Sequence, residues 1–213
     1  MKLMNLEFSR IAHDTFRVQG SKVIYTDPFK VTKADEADIV LISHEHFDHL
    51  SLEDLQKVTS ARTTIVASMS CKSGLKKVKA KETKFLEPGG KLTIGKVDIE
   101  AVPAYNVNKF RAPGQVFHPK EDKKLGFVFV MDGTRVYFAG DTDFIPEMKN
   151  IQCDIALLPV SGTYVMTAEE AAEAVEAMKP KIAIPMHYAA IVGGEGDALK
   201  FKSLVKDCQV EIL

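Results

Sequence analysis

Ser43-His44-Glu45-His46-Phe47-Asp48-His49-Leu50 gathers three of the chain's six histidines and an aspartate within six positions. It follows directly on Ile39-Val40-Leu41-Ile42, an apolar run of strand length. Histidines two apart at a strand end project to the same side, so His44 and His46 can grip one metal ion. Asp48 and His49 fall on the following turn and can reach a second ion close by. Imidazole and carboxylate donors suit zinc, manganese or iron, and the missing cysteine argues against a purely structural zinc site.

Around this segment, short apolar runs alternate with turn signals and helical patterns. Phe16 to Val18, a Gly20-Ser21 turn and Val23 to Tyr25 read as a hairpin. Ser51 is placed to cap a helix carrying Leu52, Leu55 and Val58 on one face. Thr64 to Ala67 and Val97 to Ala101 read as strands, and Asp132-Gly133-Thr134 as the turn of a second hairpin. Thr167-Ala168-Glu169-Glu170 is a capping box whose helix stops at Pro180. A strand over Lys181–Ile184 leads to His187, and Ala198 to Lys206 reads as a final helix. This pattern means α/β or α+β. The stretch from Asn106 to Lys124 reads as one long irregular loop, a length that is usually functional or disordered.

With 28 Lys plus Arg against 29 Asp plus Glu, the formal net charge is −1. That balance excludes a whole-protein electrostatic case for nucleic acid. The six lysines between Lys72 and Lys84 read as a solvated face, because no aromatic residue interleaves them. No apolar run is long enough to span a membrane. Three scattered cysteines without a C-x-x-C pair, and a start that turns charged early, suit a reduced cytoplasm. The chain, residues 1–213, is expected to form a single domain. Gly-rich phosphate loops and Gly-x-Ser-x-Gly elbows are absent, and Ser161 has no spare histidine to activate it.

His-x-His-x-Asp-His after an apolar strand resembles the signature of the metallo-β-lactamase superfamily of metal-dependent hydrolases. Gly140-Asp141-Thr142 after a strand matches that family's metal-bridging aspartate, and His187 its last histidine ligand. Ile11-Ala12-His13, Thr26-Asp27-Pro28-Phe29 and Gly140 to Asp143 look most like the branch that holds ascorbate-phosphate lactonases and the phospholipase D acting on N-acyl phosphatidylethanolamine. The resemblance implies an α+β fold, a four-layer αββα sandwich with the metals at one edge. It also implies that Asp48 and Asp141 are catalytic, Asp141 bridging two ions and Asp48 orienting the nucleophile. A bound ion lowers the pKa of water from 15.7 toward ~7, which makes hydrolysis of an ester-type bond, phosphodiester or lactone, the expected reaction. Di-iron redox members of the fold resemble a pattern with glutamate where this chain has His46. A metal-binding protein without hydrolytic activity is the other alternative.

In one place the pattern departs from the family. The strand that normally supplies the first metal's third histidine ends here in Val102-Pro103-Ala104-Tyr105-Asn106. His118 in the long loop is the remaining candidate, either a displaced ligand or an ordinary loop residue, with Asn106 or water in its place. Asp27 ends a buried strand and needs a partner; a role orienting a ligand histidine fits it, and the branch resemblance suggests the same supporting role for His13. Tyr105, Asn106, Tyr164 and Tyr188 follow strand ends and are expected to line a substrate pocket. Arg111, Lys120, Lys123 and Lys124 either meet an anionic group, which would make the substrate a small phosphorylated or carboxylate compound, or belong to a solvated loop. Zinc is the expected ion, one or two, with manganese or iron admitted by the same donors.

Overall fold

A computed structural model describes residues 1–213. Sixteen strands and three α-helices follow one another along the chain. The first sheet runs, in spatial order, β1 (Lys2–Leu3), β2 (Leu6–Ala12), β3 (Thr15–Gln19), β4 (Val23–Thr26), β5 (Ile39–Ile42), β6 (Thr64–Ser68) and β7 (Glu82–Leu86). The second holds β8 (Lys91–Ile94), β9 (Val97–Pro103), β12 (Leu125–Met131), β13 (Thr134–Phe138), β14 (Ile155–Pro159), β15 (Ile182–Met186) and β16 (Gln209–Val210), again in spatial order. Each sheet begins with antiparallel pairs and ends with parallel ones.

The period-2 alternation of side chains explains the layering. Ile39 and Leu41 of β5 point into a core of 46 buried residues shared with the second sheet. Val40 and Ile42 point outward, where they join Leu55 and Val58 of α1 (Leu52–Val58) in a second cluster of 11. Helices α2 (Ala168–Met178) and α3 (Glu195–Leu204) cover the second sheet, with Ala171, Val175 and Met178 of α2 buried. The result is an α+β sandwich in the αββα order. No helix is long and apolar enough to cross a membrane.

Local signals account for most of the element ends. Asp132 and Gly133 both take positive φ, 50° and 76°, and close the two-residue β12–β13 turn. Ser51 accepts from the Asp54 N–H, and Thr167 and Glu170 form the reciprocal capping box. Three expectations need correction. Leu52 is 43% exposed, because as the first residue of α1 it sits at the rim of the helix's buried face. Helix α3 begins at Glu195, capped by the Asp197 carboxylate accepting from the Gly194 N–H at 2.8 Å; a Gly-Glu-Gly start has no apolar period to reveal it. The stretch from Asn106 to Lys124 is not irregular throughout, since β10 (Phe110–Ala112) and β11 (Gln115–Val116) pair as a small hairpin.

Candidate metal centre

Every donor of the cluster leaves the end of a strand or the loop beside it. Strand β5 delivers Ser43 and His44, and the turn that follows carries His46, Asp48 and His49. Asp141 follows β13, and His187 follows β15. Strands of both sheets thus bring their ends to one edge of the sandwich.

Three of the imidazoles, those of His44, His49 and His187, are oriented from behind. Asp27, at the end of β4, accepts from the Ser43 N–H at 2.7 Å and from Ser43 Oγ at 2.5 Å. It also lies 2.7 Å from His49 Nδ1, so it accepts that N–H and leaves Nε2 facing the centre. Ser43 Oγ, its hydrogen given to Asp27, is 2.9 Å from His44 Nδ1 and fixes that ring in the same sense. Ser161 Oγ lies 3.0 Å from His187 Nδ1 and does the same at the opposite side. Asp27 therefore meets one histidine of the cluster directly and reaches a second through Ser43. Ser161 is engaged with the His187 ring, a partnership that residue spacing alone does not show.

The front of the cluster divides in two. His44 Nε2 and His46 Nδ1 are 3.0 Å apart, and with a His118 ring nitrogen these donors all lie within 4.8 Å of one another. A second set joins His13, Asp48, His49 and His187 within the same limit. Asp141 sits between the sets. Its Oδ2 is 3.9 Å from His44 Nε2 and 3.6 Å from His118 Nε2, and its Oδ1 is 3.4 Å from both His49 Nε2 and His187 Nε2.

His118 reaches the first set because Asn106 clamps it. The Asn106 N–H donates to the His118 carbonyl at 2.8 Å, and Asn106 Oδ1 accepts from the His118 N–H at 2.9 Å. Asp143 anchors the base of the loop by accepting from the Val107 and Asn108 N–H groups at 2.7 and 2.9 Å. Asn106, expected to line a substrate pocket, is instead buried and holds the loop folded back. Tyr188 departs from the same expectation; it is buried beneath Arg10, whose guanidinium lies 3.8 Å above its ring. Tyr105 opens toward a neighbouring pocket, its hydroxyl donating to Glu147 at 2.8 Å. Of the four, only Tyr164 borders the cleft over the donors. His13 also differs from expectation. It orients no ligand histidine, and its Nε2 is 3.3 Å from Asp48 Oδ2 in the donor set itself. Lys124, with its side chain buried, brings Nζ to 3.2 Å from His46 Nε2 and 3.3 Å from Glu45.

The electrostatics describe a cluster waiting for cations. Burial, followed by the charge of neighbouring His49, pushes His44 well below the ordinary histidine range. Burial likewise carries His118 down to about 4, so its lone pair is available at neutral pH. Burial also disfavours ionised Asp141, but His187 and His49 outweigh it and hold that carboxylate well below its usual range. Burial raises Asp14 and Asp27. Of the eleven buried side-chain polar atoms that lack a hydrogen-bond partner, eight belong to His13, Asp14, His49, His118, Asp141 and His187. Buried polar atoms are rarely left so, and a concentration of orphaned N and O donors at one point fits bound metal ions.

Backbone strain gathers here as well. His13, Asp27, Tyr164 and His187 all hold positive φ, between 34° and 68°. Gly140, at φ +63°, presents Asp141, and a Cβ there would meet the Leu125 carbonyl oxygen at 2.6 Å and Ser43 Cβ at 3.1 Å. Gly140→Ala is therefore expected to cost about 2 kcal/mol or more and to loosen Asp141. Thermal melts with and without added metal will check this, the metal-induced rise in Tm shrinking in the variant.

The family model described as "Beta-lactamase superfamily domain" matches residues 7–187. A metal-dependent hydrolase of Pelotomaculum thermopropionicum is 34% identical over 220 residues, covering 95% of this chain and 94% of its own. One from Thermoplasma acidophilum is 33% identical, covering 94% and 91%. A crystal structure from Parabacteroides distasonis, also described as a metal-dependent hydrolase, superposes with a TM-score of 0.81 at 34% identity, covering 97% of this chain and 92% of that one. The chain belongs to the beta-lactamase superfamily, among its metal-dependent hydrolases.

Proposed function

We propose that this chain hydrolyses an ester-type bond, phosphodiester or lactone, in a small molecule, with two divalent transition ions held on either side of Asp141. One observation carries the reading: the two oxygens of Asp141 face two separate donor sets. His44, His46 and His118 would hold the first ion; Asp48, His49 and His187, with His13 beside them, the second. Asp48 and Asp141 bring negative charge to the donor sets, and Asp14 and Asp27 lie beside them. Zinc fits these donors best, and manganese or iron fit the same set.

Ions bound there supply a Lewis acid for the attacked carbonyl or phosphoryl oxygen and lower the pKa of water from 15.7 toward ~7. The protein does the rest. Asp27, Ser43 and Ser161 keep His49, His44 and His187 in the tautomer whose Nε2 faces the centre. Asp48, part-exposed at the cleft, accepts a hydrogen bond from the attacking water and aligns it with the bond to be broken. Asp141 keeps both donor sets in register through a buried carboxylate whose position Gly140 fixes.

Chelator-stripped protein is expected to hydrolyse neither lactones nor bis(4-nitrophenyl) phosphate, and zinc, manganese or iron should restore at least one of these activities. The same metals should stabilise the fold by about 2.7 kcal/mol at a hundredfold excess over Kd, read as a rise in Tm. Full activity after complete stripping would overturn the reading. So would oxygen consumption by the iron-loaded protein with no hydrolysis of any ester.

A further inference from the structure

The cleft above the donors has a volume of about 350 Å³, the small end of the range for ligand pockets. His46, Asp48, His118 and Asp141 form its polar part. Everything else lining it is Phe47, Phe117, Tyr164 and Ile191. Three of these are left open to solvent, Phe47 at 69%, Ile191 at 42% and Tyr164 at 39%. Large apolar side chains grouped in the open around one site mark a binding surface.

Their placement is built in. Phe47 is fixed between His46 and Asp48 and meets the Phe29 ring edge-on at 6.1 Å. Tyr164 is held at φ +68°, a conformation disfavoured for tyrosine, while Asn106 Nδ2 donates to its carbonyl at 2.8 Å. Its ring packs edge-on against Phe117 at 4.6 Å. The loop that holds His118 in the donor set thus also sets the apolar wall.

No cation lines this cleft. Lys109 is paired with Glu170 at 2.6 Å, Lys120 with Glu147 at 2.7 Å, Lys123 with Glu87 at 2.9 Å and Lys124 with Glu45 at 3.3 Å. Lys30 donates to the Ala190 carbonyl at 2.9 Å, and Arg111 is exposed on the small hairpin away from the lining. A phosphorylated substrate would find no partner for its phosphate beyond the metals.

We infer that the substrate, on the hydrolytic reading above, is a carboxylic ester, lactone or thioester that lays an uncharged apolar acyl or aryl group against Phe47, Phe117, Tyr164 and Ile191. Hydrolysis then adds one water across the acyl bond. The hydroxyl goes to the acyl carbon, and the proton goes to the departing oxygen or sulfur.

Alkyl hydroxamic acids, which chelate through their head group, test this on the zinc-loaded protein by calorimetry without any turnover. From acetohydroxamic to hexanohydroxamic acid, affinity should climb by up to about fourfold per methylene, at least tenfold in all. Phe47→Ala with Ile191→Ala should flatten that climb to threefold or less, weakening hexanohydroxamic acid far more than acetohydroxamic acid. Ile191→Lys, a milder change to the fold, should weaken hexanohydroxamic acid selectively. In parallel, 4-nitrophenyl hexanoate should be hydrolysed with a higher kcat/KM than the acetate. A twofold spread or less across the wild-type series, with esters still hydrolysed, overturns this inference and spares the hydrolytic reading. A steep series with no carboxylic ester, lactone or phosphodiester turned over supports apolar recognition and overturns the hydrolytic reading.

Discussion

Asp141→Ala is expected to lower hydrolysis by on the order of 1,000-fold and to leave the protein unable to hold both ions together. Asp141 Oδ2 lies beside His44 and His118, and its Oδ1 beside His49 and His187. Asp27 also comes close to His44 and His49, but it meets the His49 ring at Nδ1, on the side away from Asp141. On the proposed two-ion reading, removal of Asp141 would leave two cations facing each other without the carboxylate between them. Several kcal/mol of transition-state stabilisation go with it, at about 1.4 kcal/mol per factor of ten. Plasma mass spectrometry of the dialysed variant should read about one ion per chain or fewer. Two ions retained at full occupancy would remove Asp141 from the bridging role.

His118→Ala should weaken binding of the first ion by at least ~10-fold, because a lost ligand costs no less than a lost orienting partner. Binding at the second set should change little, since that set shares only Asp141 with the first. The fold should survive, because the loop is held by Asn106 and by the Asp143 carboxylate rather than by the His118 ring. An independent signature lies in the metal-free protein. Burial lowers the His118 pKa to about 4 in the folded state from an ordinary 6.5, so between those values the unfolded chain binds more protons. His118 therefore withdraws stability as pH falls from about 6.5 toward 4, amounting to about 3 kcal/mol at the lower end. Urea denaturation at pH 7 and pH 4.5 should show that loss reduced in His118→Ala. An unchanged first-ion affinity would return His118 to the role of a loop residue.

How much of this is legible in the chain follows from the range of the interactions involved. The donors from His44 to His49 are visible because one strand end and one turn place them, and local spacing reports local geometry. The hairpin at Asp132-Gly133 and the capping box at Thr167 are visible for the same reason. Asp141 and His187 become visible only through a family pattern, since nothing within a few residues of either points to metal. The clamp on His118 is harder still. Asn106 reads as a weak donor at the empty ligand position, whereas its work is done by backbone and side-chain bonds to a residue twelve positions away. Tyr188 and Tyr105 mislead because following a strand end says nothing about which way a ring turns; Arg10 and Glu147, both distant in sequence, decide that. The apolar wall is dispersed over Phe47, Phe117, Tyr164 and Ile191, four segments with no common motif.

The measurement that bears most directly on the central claim is anomalous X-ray scattering at the metal absorption edge, collected on crystals of the metal-loaded protein. Two peaks are predicted, one among His44, His46 and His118 and the other among Asp48, His49 and His187, with the Asp141 carboxylate between them. A single peak on one side of Asp141 at saturating metal, or peaks away from these side chains, would contradict the account.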